Sequence, residues 1–287
     1  MSTTILKELA QLQALDLAAD SQTILDQLRP CMQRYAELEM RPDGSRIDLI
    51  TLSDQLKEID LFLDILRKRM PGEEGISRVN SLINFGAGHT MGMKLPLAGD
   101  LAQGELYIRG ALPFEEVRFF LSNQGVKAEL LDRLAAVGNS FEKEYCHMLS
   151  ADVGTTEFSV FFTTYLKSGE EATDASMLEK AMTLLEVNEA GQQNMMRMHG
   201  MLGAARPCTL FLSIKITQEQ ILGAKVDYPS IRVGSIAELM QTIVPDANGR
   251  LPIYWGQTLD AFKSNFTGVM LDKNGPRSLR AYFPYNY

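Results

Sequence analysis

The sequence predicts an α/β protein of the α+β kind, a closed antiparallel β-barrel of about ten strands surrounded by helices. Three observations carry that expectation. Segments alternating apolar and polar residues with a period of two come in pairs joined by short turns, as hairpins do. A helical pattern follows most pairs, so strand, turn, strand, helix recurs nearly end to end through 287 residues. So many strands in one open sheet would leave two long edges, which closure removes.

Residues 3 to 30 carry helical spacing at Ile5, Leu9, Leu12 and Leu15 and again at Ile24 and Leu28, up to Pro30. Residues 1–34 are expected to pack on the barrel as helices. In the first hairpin, YAELEMR and RIDLIT flank Asp43-Gly44, and Leu38, Met40, Ile47 and Leu49 oppose Glu37, Glu39, Arg41, Arg46 and Asp48. A helix follows from Ser53; Pro71 to Gly75 reads as a loop before a short helix near Val79 to Ile83. The second hairpin sets Met91, Met93, Leu95, Leu106 and Ile108 against Lys94, Glu105, Tyr107 and Arg109, with a helix over Pro113 to Ser122. After a helix at Ala128 to Ala136, TTEFSVFFTTYL sets Phe158, Val160 and Phe162 against Ser159, Thr163 and Tyr165, and its helix is Asp174 to Val187.

The Met-rich segment Asn194 to Met201 reads as helix packing and precedes the clearest copy, Pro207 to Pro245. There Leu210, Leu212, Ile214 and Ile216 oppose Thr209, Ser213, Lys215 and Thr217, while Leu222, Ala224 and Val226 leave Lys225 and Asp227 on the polar side. Ser235 caps a helix over Ile236 to Val244, and another helix runs from Tyr254 to Phe262. The last hairpin turns at Asn274-Gly275, with Leu279, Ala281 and Phe283 against Ser278, Arg280 and Tyr282.

No composition break or Pro/Ser-rich linker divides the chain, so residues 1–287 are expected to form one domain. A net charge of -8 argues against a general nucleic-acid or anionic-membrane surface, while leaving room for a local basic pocket. The start lacks the pattern of a signal peptide, and no segment approaches the roughly 20 apolar residues of a membrane span. Three scattered cysteines, Cys31, Cys146 and Cys208, fit reduced thiols, and a cytoplasmic location is expected. Neighbouring strand residues face apart, so Cys146 and His147 are not expected to share a metal. There is no Gly-Lys phosphate loop, GxGxxG, GxSxG, HExxH, paired CxxC or aspartate-rich magnesium box.

If helices cover the apolar face of every hairpin, the polar parity points inward and lines a wet, charged lumen. Glu37, Arg41, Lys94, Tyr107, Arg109, Tyr165, Lys215, Lys225, Arg280 and Tyr282 would then meet inside. A single cation on an alternating strand is commonly solvated surface; recurrence on separate hairpins is what favours the lumen.

At this point the chain resembles a known family, the aromatic prenyltransferases of the ABBA type. GAKVDYP is similar to the Lys-x-Tyr-aromatic-Pro strand of the fungal indole enzymes, with Tyr228 three residues after Lys225 where the pattern has two. NGPRSLRAYFPY resembles their final hairpin. GMKLPLAGDLAQGELYIR and AELEMR are similar to strands of the cyanobacterial peptide enzymes.

The resemblance, over about residues 35 to 287, implies a barrel of αββα repeats with its active site in the lumen. It implies transfer of a prenyl group from an allylic diphosphate, dimethylallyl or geranyl, to an indole, a phenol or an aromatic residue of a peptide. Arg46, Lys94, Arg109, Lys215, Lys225 and Arg280 would hold the diphosphate, since several negative charges must be met. Tyr107, Tyr165, Tyr228 and Tyr282 would donate hydrogen bonds and shield the carbocation. Glu37 would take the proton lost by the acceptor, in competition with Glu39, Asp48, Glu105 and Asp227, any of which could instead neutralise a cation. Trp255 and the Phe residues would wall the prenyl chain. No metal is expected to be required, with magnesium stimulating at most. The remaining alternatives are a prenyl-diphosphate cyclase or hydrolase on the same barrel, and a non-catalytic binder of an acidic ligand.

Overall fold

The computed structural model describes residues 16–28, 33–41, 44–53, 56–69, 73–98, 104–141, 144–202, 207–229 and 266–284. Their elements run α1 (Ser21–Gln27), β1 (Gln33–Arg41), β2 (Gly44–Ser53), α2 (Leu56–Arg69), α3 (Glu73–Phe85), β3 (Thr90–Ala98), β4 (Glu105–Pro113), α4 (Phe114–Asn123) and α5 (Ala128–Ser140). They continue with β5 (Tyr145–Asp152), β6 (Phe158–Leu166), α6 (Glu171–Leu184), α7 (Glu189–Leu202), β7 (Cys208–Ile216), β8 (Ile221–Pro229), β9 (Phe266–Asp272) and β10 (Gly275–Pro284). The ten strands form one closed barrel in the order β1-β10-β9-β8-β7-β6-β5-β4-β3-β2, each antiparallel to its neighbours, as the hairpin repeat predicts. Closure is made by β1 on β10, with Glu37 opposite Tyr282 and Glu39 opposite Arg280.

The main core lies between strands and helices. Leu38, Leu49, Met93, Ile108, Leu149, Val160, Leu212 and Val226 point outward and are fully buried under helix residues such as Phe62, Leu82, Val117, Leu134, Leu178 and Met195. Met195 and Met198 of α7 belong to this layer, so the Met-rich run packs as expected. Ile24, Leu25 and Leu28 of α1 join the same core.

Helix limits differ from the sequence pattern where local bonds decide them. The helix expected from Ser53 begins at Leu56, because Ser53 is still in β2 and its hydroxyl bonds Glu58 of the first turn. α3 starts at Glu73, inside the stretch that reads as loop. α6 ends three residues before Val187, where the Glu186 and Val187 amides bond the Thr183 and Met182 carbonyls and Glu186 takes φ 59°, a Schellman-type stop. The expected helices Ile236 to Val244 and Tyr254 to Phe262, Trp255, Cys31 and residues 3–15 lie outside the described residues.

Candidate active site

All hairpin turns lie at one end of the barrel, because odd strands run toward it and even strands away; the strand-to-helix connections ring the other end. A cavity of about 260 Å³ lies inside the strands toward the helix-connected end, which we call the mouth. Alternation along each strand decides what faces it. Glu37, Asp227, Lys225 and Arg109 supply its charges, with Tyr107 and Tyr282 beside them. Tyr35, Ile50, Leu52, Met148, Phe161, Phe211 and Phe266 supply its apolar wall.

The floor is a polar network. Lys225 Nζ donates to the Tyr282 hydroxyl at 2.5 Å and pairs with Asp227 at 2.9 Å, and Tyr282 is hydrogen-bonded to Glu37. Glu37 also meets Lys94 Nζ at 2.6 Å and Arg280 at 3.0 Å. Burial would raise the Glu37 carboxyl, but Arg280, Lys94 and Lys225 outweigh it and hold it down at about 2. Burial, then Asp227 and Glu37, push the Tyr282 phenol well above its ordinary value. Burial with Glu105 and Glu37 does the same for Tyr107, so both phenols stay protonated and able to donate.

Toward the mouth the wall is aromatic. Tyr107 and Phe161 meet edge to face at 6.1 Å, and His147, Phe211, Phe266 and Tyr282 follow one another at 5.4, 5.7 and 6.5 Å between ring centres. Lys225 Nζ stands 5.1 Å from the Tyr282 ring centre and 5.9 Å from that of Phe161, within cation–π reach. His147 enters the lumen because β4 bulges between Arg109 and Leu112, which shifts its parity. Burial, assisted by the Arg109 charge, lowers its imidazole, which stays a neutral donor-acceptor.

The sequence-predicted residues separate into groups. Glu37, Arg109, Lys225, Tyr107 and Tyr282 come together on the cavity. Arg46, Lys94, Lys215 and Arg280 also point inward but lie below its floor, each paired with carboxylates. Arg46 meets Asp48 at 2.6 Å, Lys94 meets Glu37 and Asp48, Lys215 meets Glu157 and, at 3.9 Å, Asp152, and Arg280 bridges Glu37 and Glu39. Tyr165 has the inward parity but stands past the cavity at the rim, 56% exposed. Tyr228 is the exception to the lumen. It follows Ala224 and Val226 on the outward parity, is fully buried against α7, and its hydroxyl meets His199 Nδ1 at 2.8 Å. The extra residue between Lys225 and this tyrosine explains its outward face.

The sequence reading expected Phe residues to wall the site without saying which; those on the cavity are Phe161, Phe211 and Phe266. Phe161 and Phe211 sit on the polar parity between Ser159 and Thr163 and between Thr209 and Ser213, a mismatch of residue type and face that marks a lumenal ring. Among the described residues no group of three or more His, Cys, Asp or Glu is placed to hold a metal ion. No helix among them is long and apolar enough to cross a membrane.

Hairpins alternating with helix pairs around a closed ten-stranded barrel, with a cavity inside the strands, make the fold of the aromatic prenyltransferases. The likeness extends over almost the whole chain. A 6-dimethylallyl tryptophan synthase superposes with a TM-score of 0.72 at 11% identity, covering 97% of this chain and 93% of that one. NotF in complex with brevianamide F and DMSPP gives 0.67 at 10% identity over 100% and 94%. The 5-dimethylallyl tryptophan synthase from Streptomyces coelicolor in complex with DMASPP and Trp gives 0.65 at 12% over 97% and 92%. No protein-family model matches the chain, and no curated protein matches its sequence.

Proposed function

We propose that the chain is an aromatic prenyltransferase, moving a dimethylallyl or geranyl group from its diphosphate to an indole, a phenol or an aromatic residue of a peptide. The observation that carries this is the juxtaposition, in one cavity, of an aromatic wall with a Lys225–Tyr282–Glu37 relay at its floor. Structural neighbours solved with DMASPP and Trp, with brevianamide F, and with product diphosphate support the pairing of an allylic donor with an aromatic acceptor.

In this reading Arg109, Lys225 and the two phenols receive the diphosphate, with Arg46, Lys94, Lys215 and Arg280 adding positive field from below. The allylic C–O bond breaks and its electron pair leaves on the diphosphate oxygen. The facing rings of Phe161, Phe211, Phe266 and Tyr282 shield the carbocation from water. A ring π pair of the acceptor forms the new C–C bond, and the resulting arenium ion gives its proton to Glu37. An arenium ion is a far stronger acid than a carboxylic acid, so a carboxylate held near 2 still accepts the proton; position matters more than basicity. No metal enters these steps, and magnesium at most stimulates. A cytoplasmic setting belongs to this reading, in keeping with a sequence of only three scattered cysteines.

The test is incubation with dimethylallyl and geranyl diphosphates, with and without indoles, phenols and short aromatic peptides, in EDTA and in magnesium, following pyrophosphate and product mass. Acceptor-dependent pyrophosphate release that survives EDTA is expected. Release without acceptor would replace this reading by a cyclase or hydrolase, binding without release by a carrier. Loss on chelation restored by magnesium would overturn metal independence.

A further inference from the structure

Closing a sheet normally removes its edges. Here, among the described residues, one edge is left without a neighbouring strand at the mouth. β5 and β6 pair only over Met148–Ala151 against Phe158–Phe161, although continuing that register would set His147 against Phe162 and Tyr145 against Thr164. Instead β5 follows β4, with Cys146 opposite Leu112 after the bulge, while β6 stays on β7 as far as Leu166 opposite Cys208. Residues 162–166 therefore have no strand on the β5 side among the described residues. The barrel's other short pairing, β3 with β4, ends at Lys94 opposite Glu105, and there the chain covers the spare edge with its own backbone. Leu17 bridges Ala98, and the Ala18 amide donates to the Leu97 carbonyl at 2.7 Å.

The β6 edge leads into the cavity. Phe161, its last residue paired with β5, and His147 across the gap both line the cavity, and Tyr165 at the outer end is 56% exposed. Phe162, Thr163, Thr164 and Tyr165 carry no charge, so what this edge offers is main-chain hydrogen bonding. A complementary partner must be an extended backbone, and alternation along it would send one side chain inward and its two neighbours outward.

We propose that the acceptor is an aromatic side chain of an extended, uncharged peptide, which adds as a strand to residues 162–165 of β6 and lowers that side chain into the cavity. What then happens to the side chain rests on the prenyl-transfer reading; the docking does not. Recognition through the main chain makes the sequence around the aromatic residue nearly free and makes a peptide a better acceptor than the isolated amino acid.

The test uses the full chain and the peptide acetyl-Gly-Gly-Trp-Gly-Gly-amide, beside the same peptide N-methylated at one glycine at a time and beside N-acetyltryptophanamide. Hydrogen exchange of amides 162–165 and prenylation with dimethylallyl diphosphate are read together. The peptide should slow exchange at alternate positions of this segment and have the higher kcat/KM. Methylation of a bonded amide should cost about fivefold in both readouts for each hydrogen bond lost, with no effect at amides facing away. Segment amides already protected in the free chain would show that its own residues fill the edge and would overturn the proposal. So would turnover of the peptide without protection, or indifference to every methylation. Protection with no turnover of any acceptor would uphold the docking and sink the prenyl-transfer reading.

Discussion

In the proposed reaction Glu37 carries two duties that a single substitution separates. As a charge it balances Lys94 and Arg280, and as the proposed base it faces the cavity. Glu37→Gln keeps the shape, and the cations keep other partners, Lys94 in Asp48 and Arg280 in Glu39. Turnover should fall roughly 100-fold, the usual size of a general-base contribution. Donor affinity should hold or improve, since a negative charge has left the floor; calorimetry beside turnover checks both, and normal turnover would place the base elsewhere. Lys225→Met should do the reverse and weaken donor binding by about 1.5–3 kcal/mol, the worth of a charge-assisted contact. Asp152, near the turn end, tests the field itself. Burial, with Glu105 adding to it, raises its carboxyl to about 6 despite Lys215. The folded state thus holds a proton that the unfolded chain has lost above about pH 4, and this residue lowers stability as pH rises from about 4 to 6. Glu37 and Glu105, held at about 2, act oppositely: their stabilisation is present above about pH 4.3 and is lost as pH falls toward 2. Asp152→Asn keeps the acceptor of the Gly154 and Thr155 amides. It should raise stability at pH 7 by on the order of 2 kcal/mol and leave it unchanged near pH 4, read from urea unfolding at the two pH values.

At the scale of elements, the hairpin turns fix the helices. The β9–β10 turn docks on the α6–α7 loop, where the Asn188 amide donates to the Lys273 carbonyl at 2.8 Å and Gly191 packs against Gly275. Gly275 has φ 107°, and a Cβ there would lie 2.4 Å from the Gly191 Cα. Gly275→Ala should therefore cost about 1–3 kcal/mol by denaturant unfolding, from strain and from displacement of the turn, and an unchanged midpoint would mean the docking is loose. The turn itself was legible as Asn274-Gly275, and so were the strands, because period-two alternation records which face each residue takes. What alternation does not record is depth along the strand. Lys94 and Arg109 share a face of their hairpin, yet one lies below the floor at 1% exposure and the other lines the cavity. Nor does it record a bulge before one is known, which is why His147 escaped notice, or the extra residue that turns Tyr228 outward.

At the scale of the whole molecule, the described lumenal side chains of the strands are balanced in charge. The cations Arg46, Lys94, Arg109, Lys215, Lys225 and Arg280 face an equal number of strand carboxylates, Glu37, Glu39, Asp48, Glu105, Asp152 and Asp227. The chain as a whole carries -8, so neither the exterior nor the interior has net positive charge to spare for a diphosphate. If the donor binds as proposed, it takes cations from carboxylates, and among the cavity residues the pair to give way is Lys225 with Asp227, 2.9 Å apart and 7% exposed at the aspartate. Leaving a buried carboxylate without its partner costs about 3–5 kcal/mol. Asp227→Asn removes that cost beforehand and leaves Lys225 to the donor. The variant should therefore bind dimethylallyl diphosphate at least about tenfold more tightly than wild type, by calorimetry of the two proteins under one set of conditions. Unchanged affinity in the variant would mean that the diphosphate is met without displacing Asp227, by Arg109 at the mouth in place of Lys225 at the floor.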